Sequence, residues 1–245
     1  MKTTLWMLCF LLTFSLPASA VTLFLAGDST MSDKPVIDWP ETGWGMPFKV
    51  FFNDTLTIEN HAKNGRSTRS FIREGRWQAI TDKLKAGDYV IIQFGHNDES
   101  EKKVERYTTP AQYQENLTRF VTDVRRAGAT PIILSPVSRR RFEGSTALET
   151  HAAYSPLAKK VATDTHTLFI DADSLSRNLY QTFGAENSRL LFLQLKAGEH
   201  PNYPEGIEDN THFNELGARL IAQMMLAELR KKLPTLESYI VRPQP

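Results

Sequence analysis

The sequence predicts a three-layer α/β/α protein built on a parallel β-sheet. Three observations carry this. Short apolar runs alternate with longer amphipathic ones along the 245-residue chain. The short runs are rich in Val, Ile, Leu and Phe and alternate little, as strands covered on both faces require. The composition, 41% hydrophobic and 23% charged, suits a chain that buries a core and excludes a disordered, collagen-like or disulfide-scaffold protein. The formal net charge is +1, so no global field draws the chain toward a phosphate backbone, and nucleic acid is not an expected partner.

Residues 1–20 stand apart from the fold. Met1-Lys2 is a short positive start, residues 5–16 are almost wholly apolar, and Pro17-Ala18-Ser19-Ala20 is an A-x-A pattern of small residues. That is the layout of a secretory signal peptide cut after Ala20. The apolar run falls short of the roughly 20 residues that span a bilayer, which argues against an anchor. The sole cysteine, Cys9, leaves with the leader, so residues 21–245 need no disulfide. They are expected to form one domain, secreted or periplasmic, with no stable membrane insertion.

Strands are expected at 21–26, 56–58, 89–94, 131–134 and 168–170. Helical patterns occupy about 42–52, 69–85, 110–126, 149–163 and 214–232. Pro110 suits a first helical position and Gly128 an exit. The βαβ order makes the sheet parallel, and right-handed crossovers place functional loops beyond the carboxyl ends of the strands. The longest irregular stretches are 28–41, 95–109, 135–148 and 198–212, and three of them directly follow a strand.

Four short blocks carry the chemistry. Gly27-Asp28-Ser29-Thr30 follows the first strand, where a serine on a tight turn presents its hydroxyl beside a free backbone N–H. Gly65, in Asn64-Gly65-Arg66-Ser67, lets the backbone approach a ligand with no Cβ in the way. Asn97, in Gly95-His96-Asn97-Asp98, can aim its amide N–H at an oxygen gaining charge. Asp209 and His212, in Asp209-Asn210-Thr211-His212-Phe213, can share one side of a turn, the carboxylate orienting the imidazole as a base. Taken singly, each block reads more readily as a turn, a loop or a helix cap than as chemistry. Taken together, three follow parallel strands and so meet at one sheet edge, and the fourth precedes the last helix. They supply a nucleophile (Ser29), a base (His212), its orienter (Asp209) and oxyanion donors (Gly65, Asn97).

These blocks, in this order and spacing, resemble the SGNH (GDSL-type) hydrolases. The longer strings 62–77, 91–98 and 209–218 resemble one branch in particular, the rhamnogalacturonan acetylesterases of carbohydrate esterase family 12, with His96 and the extension after Gly65 as the branch markers. The resemblance covers nearly all of the chain after the leader. It implies a flavodoxin-like SGNH hydrolase fold with a five-stranded parallel sheet of order 2-1-3-4-5. It implies Ser29 as nucleophile, His212 as base, Asp209 as its partner, and an oxyanion hole of the Ser29 and Gly65 N–H groups with the Asn97 side chain. No metal or organic cofactor is implied. Thr30 stands where the superfamily's nickname has Leu, and no chemical role falls to it.

The expected substrate is an acetylated polysaccharide or oligosaccharide, rhamnogalacturonan by the resemblance. Arg139, Arg140 and Arg141 follow the fourth strand and are candidates for holding galacturonate carboxylates, against a solvated charge run. Trp39 is a candidate sugar-stacking platform, against a packed lid residue. His61, His151, His166 and His200 show no metal-ligand spacing. A lipase or thioesterase on the same site is the alternative enzyme, but no Leu/Phe-rich loop follows any strand. A non-catalytic carbohydrate binder would need no activated serine.

Overall fold

The computed structural model describes residues 20–242. The expected leader, apart from Ala20, lies outside the described residues, as do Cys9 and residues 243–245. In chain order the elements are β1 (Val21–Gly27), α1 (Gly45–Phe48), β2 (Leu56–Asn60), α2 (Thr68–Arg73), α3 (Arg76–Thr81), β3 (Tyr89–Gln93), α4 (Pro110–Arg126) and β4 (Thr130–Leu134). Then come β5 (Phe142–Glu143), β6 (Thr146–Ala147), α5 (Ser155–Asp164), β7 (Leu168–Ile170), α6 (Ala172–Asn187), β8 (Phe192–Leu195), β9 (Ile207–Phe213) and α7 (Glu215–Lys232). Among the described residues no helix is long and apolar enough to cross a membrane.

The main sheet is parallel and ordered β2-β1-β3-β4-β7, which is 2-1-3-4-5 when only its own strands are counted. Strand β1 is central to the site, with Leu25 facing Asn60 on one side and Ile91 on the other. Successive side chains of a strand point to opposite faces, and here both faces are buried. Leu23, Leu25, Ile91, Ile132 and Leu134 pack with Trp44, Phe48 and the α7 residues Ile221, Ala222 and Met225. Phe24, Ala26, Val90, Ile92 and Ile133 pack with Phe71, Trp77, Phe120, Val124 and the α5 residues Ala158 and Val161. This double cover explains why the strands are runs of apolar residues rather than alternating ones.

The expected helices differ at their ends for local reasons. Helix α4 matches its expected span, because Thr109 and Gln112 form a reciprocal capping box ahead of Pro110. The 69–85 pattern splits into α2 and α3 at Gly75, which takes a left-handed φ of 70°. The 42–52 pattern yields only α1 and a 3-10 turn at Lys49–Phe51. The 149–163 pattern begins late, at Ser155, followed by Pro156. Helix α6 was not expected. Its polar composition hides a real spacing, in which Leu175, Leu179 and Phe183 pack against the core.

The last helix is seated tightly. Asn214 caps α7 by accepting from the Gly217 N–H at 3.1 Å. A Cβ on Gly217 would lie 1.9 Å from the Leu191 carbonyl oxygen. Gly217→Ala is therefore expected to destabilise the protein by about 1–3 kcal/mol, despite the better helix propensity of Ala. Denaturant unfolding of the two proteins measures this; equal midpoints would mean the helix has room to shift.

Candidate active site

Ser29 sits where β1 ends. The Asp28 carboxylate turns the chain there: its Oδ1 accepts from the Thr30 N–H at 3.0 Å and the Thr30 hydroxyl at 2.8 Å. The Met31 and Ser32 N–H groups close the turn on the Asp28 carbonyl. Ser29 is left with its hydroxyl facing a pocket and an N–H that donates to no described residue. Beneath it, Asp28 Oδ2 lies 3.1 Å from His96 Nδ1. Burial pushes the His96 imidazole down, against the pull of Asp28, so at neutral pH the ring is neutral and Nδ1–H donates to the carboxylate. Burial disfavours the Asp28 charge too, but His96 and the two Thr30 donors outweigh it and keep the carboxyl below its usual range.

Asp209 and His212 lie on β9, not on the simple turn that the sequence suggests. Strand β9 pairs antiparallel with β8, and the register slips: Phe192 faces Phe213, yet Gln194 faces Glu208. The intervening β9 residues bulge toward the end of β1. Inside the bulge, Asp209 Oδ1 accepts from the Thr211 N–H at 2.6 Å and the His212 N–H at 3.0 Å. Its Oδ2 accepts from His212 Nδ1–H at 2.6 Å, which leaves Nε2 as an acceptor, 2.9 Å from Ser29 Oγ. Burial pushes the Asp209 carboxyl up, but the hydrogen bonds and charge of His212 and the two backbone donors bring it down to about 2. The carboxylate stays ionised and holds the imidazole tautomer.

The two remaining blocks line the same pocket as Ser29. Gly65, which lines the pocket, has a φ of 74°, a conformation that most side chains resist. That N–H donates to no described residue. Asn97 gives one amide hydrogen to the Arg66 carbonyl at 3.1 Å, and its Oδ1 accepts from Arg106 Nη1 at 2.9 Å. The amide is thus fixed with its second hydrogen uncommitted. Asp98 ties the two loops together by accepting from the Thr68 N–H at 3.0 Å and the Thr68 hydroxyl at 2.6 Å.

Ser29, Gly65, Asn97 and His212 line one pocket of about 290 Å³, together with Glu41, Asn64, His96, Lys103, Arg106, Arg139 and Thr211. A serine hydroxyl, an imidazole with a carboxylate behind it, and N–H donors in one pocket can carry out nucleophilic acyl transfer. Among the described residues no group of three or more His, Cys, Asp or Glu is placed to hold a metal ion.

The other candidates scatter. Arg139 lines the pocket, but its guanidinium is engaged with Thr211 Oγ1 at 2.7 Å and Glu99 Oε1 at 3.2 Å. Arg140 turns away and clamps Asn210, Ser188 and the Ala185 carbonyl. Arg141 is exposed. Neighbouring residues 139 and 140 thus brace the β9 bulge at Thr211 and Asn210. Trp39 is 46% exposed and lines a separate pocket with Pro40, Met46 and His200. Sequence reasoning missed Lys103 and Arg106; their only signal was a long irregular stretch after a strand. His151, left unassigned, packs its ring 4.3 Å from that of His96 and bonds Glu99.

The chain is similar to known proteins in sequence and in fold. The model of the GDSL-like lipase/acylhydrolase family matches residues 25–220. The chain is 40% identical over 222 residues to the rhamnogalacturonan acetylesterase RhgT of Bacillus subtilis, covering 90% of this chain and 94% of that protein. It is 29% identical over 231 residues to a rhamnogalacturonan acetylesterase of Emericella nidulans, covering 85% and 84%. Among solved structures, the Bacillus subtilis protein YxiM superposes with a TM-score of 0.73 at 25% identity; the match covers 88% of this chain and 57% of that one. An acetylxylan esterase of Geobacillus stearothermophilus shares the fold, with a TM-score of 0.60 at 16% identity and coverages of 86% and 94%.

Asp98 provides a test of how the loops are joined. Burial pushes its carboxyl from the ordinary 3.8 up to about 7, against the hydrogen bonds from Thr68 and Thr108. A raised folded-state value means that ionisation costs stability: the contribution is full below pH 3.8 and is lost as pH rises through 7. Asp98→Asn cannot ionise. Its stability relative to the parent should rise with pH between 4 and 7, by at most about 1.4 kcal/mol per pH unit. Chemical unfolding at several pH values reads the difference; a pH-independent gap would remove Asp98 from this role.

Proposed function

The chain belongs to the GDSL-like lipase/acylhydrolase family and is a carboxylic ester hydrolase, and we propose that it is a secreted serine esterase that removes acetyl groups from the pectic polysaccharide rhamnogalacturonan through an acyl-enzyme. The observation that carries this is the continuous relay Asp209–His212–Ser29, at 2.6 and 2.9 Å, beside three N–H donors. The names of the similar Bacillus and Emericella esterases supply the polysaccharide.

In this reading His212 Nε2 takes the Ser29 proton as Oγ bonds to the acetyl carbonyl carbon. The carbonyl π electrons move to oxygen, and the oxyanion is held by the Ser29 and Gly65 N–H groups and Asn97 Nδ2. The C–O bond to the sugar then breaks, and His212 returns the proton to the departing sugar hydroxyl. A water, deprotonated by His212, attacks the acetyl-Ser29 carbonyl carbon; the C–O bond to Oγ breaks, His212 returns the proton to Oγ, and acetic acid leaves and ionises to acetate. Asp209 stays a carboxylate and stabilises the imidazolium at each stage.

The size and polarity of the pocket favour a short acyl group. A long chain would need an apolar wall beside Ser29. The apolar side chains Phe192, Leu193, Leu195 and Leu216 line a different pocket. Secretion is supported by the leader pattern, and β1 begins at Val21, so cleavage after Ala20 leaves the strand whole. N-terminal sequencing of the exported protein should begin at Val21.

Ser29→Ala should abolish turnover, and acid quenching of the parent during turnover should trap an acetyl group on Ser29 by mass spectrometry. Asn97→Ala should lower kcat about 10²–10³-fold with little change in KM. A rise in KM alone would make Asn97 a substrate contact only. Acetate release should be faster from acetylated rhamnogalacturonan than from acetylated xylan or homogalacturonan; the reverse order would reassign the polysaccharide.

A further inference from the structure

Charge around the pocket is unevenly spent. Arg139 is paired with Glu99 at 3.2 Å, and Lys34, beneath the pocket, is paired with Glu41 at 2.5 Å. Lys103 and Arg106, both on the stretch between β3 and α4, line the pocket and form no ion pair with any described residue. Arg106 commits Nη1 to Asn97 Oδ1, while its Nη2 and Nε donate to no described residue. The guanidinium leans over Gly65: a Cβ built there would lie 3.2 Å from Nη1, 3.5 Å from Cζ and 3.6 Å from Nη2. Its uncommitted N–H groups therefore sit beside two of the oxyanion donors. Unpaired cations in a partly buried pocket favour an anionic ligand, and the planar guanidinium fork matches a carboxylate.

We propose that Arg106 and Lys103 form a carboxylate-binding subsite next to the oxyanion hole, which reads an acidic sugar within one residue of the acetyl ester. This rests on the acetylesterase reading above and adds to it the group that selects the sugar. Arg106 has two tasks. It binds the substrate carboxylate, and it positions the Asn97 amide that faces the developing oxyanion. Lys103 adds a second, more mobile charge from the same stretch and steers polyanionic chains toward the pocket. A neutral sugar ester leaves both cations without a partner, so discrimination falls on the carboxylate and not on the acetyl group. Of the cations expected at 139–141, Arg139 and Arg140 brace β9 and Arg141 is exposed, and the uncommitted cations of the pocket are Lys103 and Arg106.

The test compares acetate release from an acetylated rhamnogalacturonan oligosaccharide, from the same oligosaccharide with its carboxylates methyl-esterified, and from p-nitrophenyl acetate. The parent enzyme should prefer the free acid by about tenfold or more in kcat/KM, and the preference should shrink as salt rises. Lys103→Gln should raise KM for the free acid and reduce the preference. Arg106→Gln should collapse the preference and also lower kcat on p-nitrophenyl acetate, because Asn97 loses its partner. Arg106→Lys should restore part of the preference but not kcat. Equal rates on acid and methyl ester by the parent, or a preference kept by both Gln variants, would overturn the subsite and leave the acetylesterase reading standing. Hydrolysis of p-nitrophenyl acetate with no acetate released from any acetylated polysaccharide would bring down both.

Discussion

The pocket depends on one contact between residues 183 positions apart, the hydrogen bond from the Ser29 hydroxyl to His212 Nε2. Such a bond contributes only about 1 kcal/mol net, so it does not hold its own ends together. The ends are held by what lies behind them. On one side, Asp28 fixes the turn at the end of β1. On the other, the Thr42 N–H donates to the Phe213 carbonyl, the Asn214 cap seats α7, and Arg139 and Arg140 brace Thr211 and Asn210. The sheet supplies the first end and a separate hairpin supplies the second.

The electrostatics follow the same division. The carboxylates that stay ionised, Asp28 and Asp209, each receive several donors, and burial is outweighed. Asp98, fully buried like Asp28, has hydroxyl and backbone donors but no imidazole partner and feels the Asp28 charge, and burial wins. Behind Ser29, His96 and His151 stack edge to face and link Asp28 to Glu99 and thence to Arg139. Hydrogen bonds and one ring contact thus connect the turn that carries Ser29 to the bulge that carries His212.

Much of this was legible in the sequence because it is local. Apolar runs marked the five strands of the main sheet, and Pro110 marked the start of α4, where the structure adds a Thr109–Gln112 capping box. The four blocks were visible because each follows a strand or precedes a helix. What was hidden depends on partners far along the chain. The placement of Asp209 and His212 on a strand required β8, whose partner strand begins more than ten residues later. Arg140 cannot be told from Arg139 by its neighbours; only Ser188 and Asn210 distinguish them. Arg106 belongs to no motif, and its importance comes from Gly65 and Asn97, which it meets only in the folded chain.

The slipped register of β9 has a mechanical consequence. Asp209 and His212 are locked to each other within four residues, through two backbone donors and the ring nitrogen. Imidazole and carboxylate thus make one hydrogen-bonded unit on a single strand, and Ser29, carried by the sheet, meets that unit at one atom, Nε2.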